Sequence, residues 1–317
     1  MAATAPVFSI IIPTRNHAEW LRGCFDSLAA LEGARSRFEI IAVDNGPFDQ
    51  SQGRPERSRR GGSRDGTESA LAEEIRRGRL PLQVVREERE GPSHSRNTGV
   101  RSSTGRFVLF LDDDARVEPG WLAAYESCFS TPGTAVVQGR VMPDFLAARP
   151  AWLTDDLAAF LGRVDEGEAA GPLRGNMNSC NMGVARGAFE TIGGFRTDLG
   201  PGGIGMAEDT EFGLRAAEKG FAPVYAPDAL ARHLIPPERT TRKAMIRRLY
   251  RSGLSQPVFR AYRESLPRTL GYFARRSVVR LAVAAFTLSG ARRMRELCGL
   301  AEHAGRVRQL LRMKCGG

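Results

Sequence analysis

The sequence predicts an α/β fold in which a mostly parallel sheet is flanked by helices, followed by a basic helical region. Between Phe8 and Leu111, runs of β-branched residues alternate with segments of helical periodicity, a pattern typical of parallel β-α-β units. Several of these runs end in polar residues. Because ligands of such sheets gather beyond the carboxyl ends of the strands, these ends predict one shared site.

The first part of the chain supplies the elements of the sheet. Pro13 stops a β-branched run at residues 8–12, and residues 19–31 carry apolar side chains at helical spacing. A strand at 38–43 ends in Asp44-Asn45-Gly46. The pattern then predicts a helix at 67–77, a strand at 82–86, a helix at 92–103 and a strand at 107–111.

The alternation weakens beyond residue 120. We expect a short strand at 136–141, an irregular segment at 144–170, and helices at 186–193 and 207–219. Basic helices are predicted at 242–253 and 267–314. These features divide the chain into a domain at 1–236 and a basic helical region at 237–317, and the arginine-rich stretch 47–66 predicts a flexible insertion.

Composition limits the classes of function. The chain of 317 residues carries a net charge of +10, which favours phosphate esters, nucleic acid or acidic lipid as partners without choosing among them. Its five scattered cysteines predict free thiols in a reducing compartment and exclude a disulfide framework or a zinc site. With no basic region at the N-terminus and no apolar run long enough to span a bilayer, a cytoplasmic protein is expected.

Three consecutive acids, Asp112, Asp113 and Asp114, directly follow the apolar run at 107–111. Like charges side by side repel, so a positive partner is expected near them. Hard oxygen ligands suit Mg²⁺ or Mn²⁺ bridging a diphosphate. A cluster of acids that only caps a loop or a helix is the alternative.

The segments FSIIIPTRN, IIAVDNG and GPSHSRNTGVRSSTGRFVLFLDDD resemble the nucleotide-binding half of family 2 glycosyltransferases with the GT-A fold. The resemblance continues through NMGVARGAFETIGGF, AEDTEFGLRAAEKG and YAPDALARH, in the family's order, over about residues 8–235. It implies a nucleotide-binding half at 1–115, an acceptor half at 116–236, and a metal-dependent hexosyltransferase. Such an enzyme moves a sugar, typically from a UDP-sugar, to an acceptor hydroxyl with inversion, in polysaccharide, glycolipid or natural-product biosynthesis.

The resemblance also implies roles for individual residues. Asp44 would read the base, and Arg96 would lie beside the base and the diphosphate. Asp114 would hold Mn²⁺ or Mg²⁺, with Asp112 and His233 as further candidate ligands. The expected nucleotide pocket comprises Pro13, Thr14, Asn16, Asp44, Arg96, Asp112 and Asp113.

The acceptor side and the catalytic base are expected in the later half of the chain. Inverting transfer needs a carboxylate that takes the proton of the acceptor hydroxyl. The resemblance places this role on Asp209 or Glu208, with Asp209 favoured, while capping of a helix start is the alternative. Asn181 and Gly194 resemble the acceptor-side wall, and Trp152 is either a platform for a sugar or a packed core residue.

The basic C-terminal region allows two interpretations. Its cationic amphipathic helices either lie on anionic lipid at the inner face of the membrane or pack on the catalytic domain or a second subunit. The alternative to an enzyme is a nucleic-acid-binding or catalytically silent scaffold protein that uses the basic insertion and tail. Clustered acids at strand ends disfavour it, so no nucleic-acid partner is expected.

Overall fold

The computed structural model describes residues 6–32, 37–45, 66–259 and 266–315, so nearly all of the predicted insertion at 47–66 lies outside the described residues. The chain forms two compact units. The first unit comprises Met1–Met142, Val164–Thr197 and Asp209–Leu234. The second unit comprises Pro143–Arg163, Asp198–Glu208 and Ile235–Gly317.

The elements follow one another in an order that begins with strict β-α alternation. The strands are β1 (Phe8–Thr14), β2 (Phe38–Asp44), β3 (Leu82–Arg86), β4 (Phe107–Leu111), β5 (Ala115–Val117), β6 (Val136–Phe145), β7 (Gly171–Pro172), β8 (Asn181–Ala185) and β9 (Val224–Ile235). The helices are α1 (Ala18–Ala29), α2 (Thr67–Arg77), α3 (Pro92–Arg101), α4 (Trp121–Ser130), α5 (Asp155–Ala158), α6 (Arg186–Ile192), α7 (Glu208–Glu218), α8 (Arg242–Phe259), α9 (Leu266–Phe286) and α10 (Gly290–Cys315).

The strands form one mixed sheet in the order β3-β2-β1-β4-β8-β6-β9-β5, with β7 paired to β9. The first four are parallel, as the alternating pattern predicts. Strand β8 then runs antiparallel to both β4 and β6, and β5 and β7 run antiparallel to β9. The α/β class with helices flanking the sheet is confirmed.

Side chains of β1 alternate between two apolar cores. Ile10 and Ile12 pack on one face with residues of α1 and α4, whereas Ile11 packs on the other face with residues of α3, α6 and α7. All three isoleucines are fully buried, and each burial stabilises the fold by about 1.5–3 kcal/mol. This double-sided burial explains why β1 is a continuous apolar run.

The later half of the chain differs from the prediction in two places. The segment 144–170, expected to be irregular, contains helix α5 and a 3₁₀ turn at Ala159–Leu161. The helical region predicted at 267–314 is divided into α9 and α10. Ser289 Oγ accepts a hydrogen bond from the Arg292 amide at 3.3 Å and thereby caps the first turn of α10.

The second unit has an apolar cluster of its own. Leu153 and Leu157 pack there with Met245 and Leu249 of α8 and with Met294 of α10. Helical structure in the basic C-terminal region is therefore confirmed. None of the helices in the described part of the chain combines the length and the apolar character needed to cross a bilayer.

Candidate active site

Three parallel strands end side by side at the predicted site. In the register of the sheet, Thr14 of β1 lies opposite Asp44 of β2, and β1 also pairs with β4, whose last residue precedes Asp112. Thr14 and Asp44 are both buried. The first unit thus brings the three loops singled out from the sequence to one edge of the sheet.

Each of the three consecutive acids contacts a different basic side chain. These contacts offset the repulsion between neighbouring carboxylates. They join Arg96 Nη2 to Asp112 Oδ1 at 2.8 Å, His17 Nδ1 to Asp113 Oδ1 at 3.0 Å, and His233 Nε2 to Asp114 Oδ2 at 3.3 Å.

Asp113 is a buried carboxyl of the expected nucleotide pocket. Burial raises the pKa of the Asp113 carboxyl, the hydrogen bond and charge of His17 oppose this rise, and the Asp114 charge adds to it. The neighbouring Thr14 hydroxyl also lowers this pKa, but no side chain among the described residues meets the full geometry of a hydrogen bond to the buried Oδ2 atom. An acceptor therefore stays available at the end of β4 for a donor on a ligand.

Asp114 and His233 lie in the best position to hold a cation. Strands β5 and β9 pair Ala115 with His233, and the Leu234 amide donates to the Asp114 carbonyl at 2.8 Å, so the backbone fixes both side chains. Adjacent ligands of an octahedral Mg²⁺ lie about 3 Å apart, close to the separation of this pair. A carboxylate and an imidazole fit Mn²⁺ or Mg²⁺ as two of its ligands.

Asp114 and His233 would supply two ligands, so other groups have to fill the remaining coordination positions of such a cation. Among the residues that the structure describes, no three His, Cys, Asp or Glu side chains gather closely enough to hold a metal ion together. Asp112, predicted as a further ligand, directs Oδ1 at Arg96. The donor set therefore suits a metal that is completed by substrate oxygens and water.

Helix α3 carries Arg96 and Asn97, and Asn97 holds the turn that contains Gly194. The Arg96 side chain is 4% exposed, and its guanidinium lies 5.6 Å from the centroid of the Phe195 ring. Asn97 binds the Phe195 backbone through both its amide atoms, at 2.8 and 2.9 Å. A Cβ at Gly194 would lie 2.6 Å from Asn97 Oδ1, so this close approach requires glycine.

The loop after β1 reaches α1 through an unusual backbone conformation. Exposed Asn16 has a positive φ of 55°, which asparagine tolerates better than most residues. Pro13, half-buried, precedes Thr14 at the end of β1. His17 follows, with its amide bonded to Thr67 Oγ1 at 3.1 Å and its ring 4.6 Å from the Trp20 ring.

His17 and Asn45 are site residues that the sequence analysis missed. The Asn45 amide donates to the carbonyls of Glu87 and Arg89, both at 2.8 Å, and accepts from the Gly91 amide at 2.9 Å. It thereby holds the loop between β3 and α3 beside Asp44. Asn45 directly follows the polar end of β2, and His17 lies in the short loop between β1 and α1, so proximity to a strand end was the signal available in the sequence.

The two candidate bases belong to different units. In the first unit, Asp209 Oδ2 accepts from the Ser179 amide at 3.2 Å and Oδ1 from the Thr210 amide at 2.7 Å. Glu208 and Trp152 belong to the second unit. There a Cβ at Gly200 would lie 2.6 Å from the Glu208 carboxylate, and Trp152 packs, partly buried, on the apolar cluster.

Asn181 lies in the interior, in contrast to its predicted place on the acceptor side. Its side chain is fully buried at the start of β8. Its Oδ1 accepts from Trp121 Nε1 at 2.8 Å and from the Tyr125 hydroxyl at 2.9 Å, and its Nδ2 donates to the carbonyls of Arg140 and Ala229. The amide is thus a structural group of the first unit.

Comparison with known proteins decides the family. The sequence profile described as "Glycosyl transferase family 2" matches residues 9–53 and 60–193, more than half of the chain. The chain belongs to this family. Members of glycosyl transferase family 2 are glycosyltransferases, so the predicted enzyme class is confirmed.

Relatives within family 2 come from archaea and bacteria. Glycosyltransferase AglE of Haloferax volcanii is 26% identical over 74% of this chain and 68% of its own length. The glucosyl-dolichyl phosphate glucuronosyltransferase of the same organism is 29% identical over 54% of this chain and 56% of its own. Succinoglycan biosynthesis protein ExoM of Rhizobium meliloti is 31% identical over 51% of this chain. The chain spans about half the length of the last two.

Solved structures of glycosyltransferases share the fold. The mannosyltransferase PcManGT of Pyrobaculum calidifontis, in complex with GDP-Man and Mn²⁺, superposes with a TM-score of 0.63 at 20% identity, over 97% of this chain and 88% of that one. TarS of Staphylococcus aureus in complex with UDP-GlcNAc gives 0.54 at 16% identity, over 98% and 92%. These likenesses confirm the GT-A fold for this member of family 2.

Proposed function

We propose that this chain transfers a sugar from a nucleoside diphosphate sugar, a UDP-sugar in the first instance, to an acceptor hydroxyl with inversion. The observation that carries the proposal is the set of three acids that follow β4, each with its own basic partner, at the same edge of the sheet as Asp44 of β2. Acids arranged in this way suit a ligand that brings both hydroxyl donors and a metal-bound diphosphate.

The nucleotide would bind across the ends of β1, β2 and β4. Asp44, buried beside Thr14, would accept the ring N–H of uracil. Asp113 Oδ2, buried at the end of β4, would accept from a ribose hydroxyl. The Arg96 guanidinium, stacked on Phe195 and bonded to Asp112, would lie beside the diphosphate.

Asp114 and His233 would hold Mn²⁺ or Mg²⁺, as their separation and chemistry allow. A cation bound there supplies positive charge against the departing nucleoside diphosphate. The Mn²⁺ in the PcManGT structure, which has the same fold, supports this assignment.

Asp209 is the proposed base. Two backbone amides donate to its carboxylate and orient the group. It would take the proton of the acceptor hydroxyl while the hydroxyl oxygen attacks the anomeric carbon from the side opposite the leaving diphosphate. This geometry inverts the anomeric centre. Glu208 is the second candidate.

A lipid-linked saccharide is the acceptor class that we propose to test first. The name of one relative, the glucosyl-dolichyl phosphate glucuronosyltransferase, contains an acceptor of this class. A free polysaccharide end, as suggested by the name of the succinoglycan relative, is the second class.

Calorimetric titration with UDP, GDP and dTDP, each with and without Mn²⁺, tests the donor proposal. We expect metal-dependent binding of UDP that is lost in Asp114→Asn. Asp228→Asn, a change at an exposed aspartate of β9, is the matched control and is expected to bind normally. Failure of all three nucleotides to bind the wild-type chain would refute the proposal, and equal binding by Asp114→Asn would refute the metal assignment.

A further inference from the structure

Helix α9 of the second unit turns two polar side chains toward α10, between the buried apolar residues Phe273 and Ala284, while several large apolar side chains of the same helix stay exposed. Ser277 Oγ lies 3.1 Å from His303 Nδ1, and Arg280 Nη1 donates to Glu296 Oε2 at 2.8 Å. Both partners belong to α10, so the polar residues of this part of α9 face its neighbour. An amphipathic helix of a water-soluble protein does the opposite.

Helix α10 is shaped to accept this inward arginine. A Cβ at Gly299 would lie 2.3 Å from Arg280 Nη1, so the guanidinium in its present position occupies the space that glycine leaves open. The Arg280 side chain is accordingly only 25% exposed. The inward orientation of Arg280 is therefore part of the packing between the two helices.

The outward side of α9 is apolar from Val278 to Phe286. Its large side chains are mostly open to the surroundings, and the exposure continues into the turn before α10. The exposed fractions are 69% for Val278, 58% for Val279, 60% for Leu281, 88% for Phe286 and 100% for Leu288. Single exposed apolar residues are ordinary, but a contiguous set of this size marks an interaction surface.

The charges on either side of this apolar surface indicate the kind of partner that it binds. Helix α9 contains no acidic residue. Exposed Arg275 and Arg276 lie one turn before the apolar segment, and exposed Arg292 follows it at the start of α10. Arginines on either side of an apolar helix face can bind lipid phosphates while the apolar side chains enter the acyl region.

We propose that the outward face of α9, from Val278 to Leu288, inserts into the surface of a bilayer that contains anionic phospholipids. The exposed apolar side chains suit the acyl region, and the flanking arginines suit anionic headgroups. The helix lies on the bilayer, since no described helix has the character needed to span one. The proposal goes beyond the sugar transfer proposed above and does not depend on it.

Sedimentation of the full-length chain with vesicles tests the proposal. Vesicles of phosphatidylglycerol and phosphatidylcholine in equal parts are expected to carry the protein into the pellet, and vesicles of phosphatidylcholine alone to carry much less. Binding should weaken as salt screens the arginines. Absence of binding to the mixed vesicles would overturn the proposal.

The double variant Leu281→Gln/Phe286→Gln removes two outward side chains and leaves the packing on α10 intact. Its binding to the mixed vesicles is expected to fall by about tenfold or more, since each side chain loses most of its burial in the bilayer. Ile75→Gln/Leu214→Gln, a pair of exposed positions in the first unit, is the matched control and should bind as the wild type does. Equal loss in both double variants would overturn the assignment of the surface.

A second copy of the chain is the competing occupant. Analytical ultracentrifugation without lipid distinguishes it, because a dimer that the Leu281→Gln/Phe286→Gln variant abolishes would assign the face to self-association and overturn the bilayer proposal. Unchanged circular dichroism of the double variant shows that any loss of vesicle binding is not unfolding.

Discussion

Asp112, Asp113 and Asp114 are consecutive in the sequence, but their side chains differ in access. The Asp112 side chain is 29% exposed, whereas those of Asp113 and Asp114 are 7% and 5% exposed. The partly exposed Asp112 carboxylate forms an ion pair with the buried guanidinium of Arg96. The more enclosed pair instead contact imidazoles, which are neutral or charged according to their surroundings. The three acids therefore differ in both access and partner chemistry.

Asp209→Asn is expected to lower kcat by about 100- to 10,000-fold while leaving UDP affinity nearly unchanged, because asparagine keeps one of the two contacts to backbone donors but cannot accept the proton. Steady-state kinetics and nucleotide titration measure the two quantities. Glu218→Gln, at the other end of α7, is the control and should retain full activity. If Glu208→Gln loses kcat and Asp209→Asn does not, Glu208 is the base.

The lowered pKa of Glu87 predicts that the stability of the fold depends on pH. The hydrogen bonds from the Arg89 guanidinium lower the pKa of Glu87 to about 2, the Thr98 hydroxyl and the Arg89 amide add to the effect, and burial opposes it. Since the folded-state pKa lies below the ordinary value of 4.5, the ionised group stabilises the fold above about pH 4.5 and loses this effect as pH falls through 2.

The variant Glu87→Gln should therefore unfold more easily than wild type at neutral pH, by about 2 kcal/mol once solvent screening of the exposed Arg89 is considered. The difference should shrink as pH approaches about 2. Urea unfolding at a series of pH values measures it. Glu88→Gln, at the exposed neighbour, is expected to change little, and a difference for Glu87→Gln that is constant with pH would contradict the prediction.

At the scale of elements, one buried amide joins helix α4 to the middle of the sheet. Asn181→Leu keeps the approximate volume but leaves Trp121 Nε1 and the Tyr125 hydroxyl without an acceptor and two carbonyls without a donor. We expect a loss of about 3–5 kcal/mol in the free energy of unfolding. Trp121→Phe, which removes only one of these bonds, should cost about 1 kcal/mol beyond its change in packing. Chemical denaturation that shows equal effects for both would contradict this role.

The parallel part of the sheet could be predicted because its signals are local. Strands β1, β2 and β4 are buried on both faces, so they are continuous apolar runs that stand out from the intervening helices. The positions of their polar ends, at Thr14, Asp44 and Asp112, could be predicted because they come where these apolar runs stop. The resemblance to family 2 then supplied roles that composition and periodicity do not contain.

The antiparallel part could not be predicted with the same precision, because its signals are not local. Strand β5 has three residues and exists through its pairing with β9, which is distant in sequence. The partner of Asp114 follows from that pairing. Likewise, Asn181 is polar and begins a strand, so it resembles a surface residue until the donors from α4 are seen. Contacts of this kind depend on the folded chain.

At the scale of the whole molecule, free thiols lie in the apolar cores of both units. Cys24 and Cys180 belong to a core of the first unit, and Cys298 belongs to the cluster of the second. All three are buried, and Cys128 is half-buried. Their placement lets thiol chemistry report on the integrity of each core.

Burial raises the pKa of Cys24 and Cys180 well above the ordinary value for a thiol, and burial together with the charge of Asp156 raises that of Cys298 to about 11. The thiolate is the reactive form, so alkylation by iodoacetamide at mildly alkaline pH should be fastest at Cys128 among these four and should reach the other three only on unfolding. Peptide mass spectrometry of native and urea-unfolded protein measures the order. Labelling of Cys24 in the native protein as fast as that of Cys128 would show that the first core opens readily. Selective early labelling of Cys298 would show that the apolar cluster of the second unit opens readily. Each buried thiol becomes reactive only when the core around it admits water.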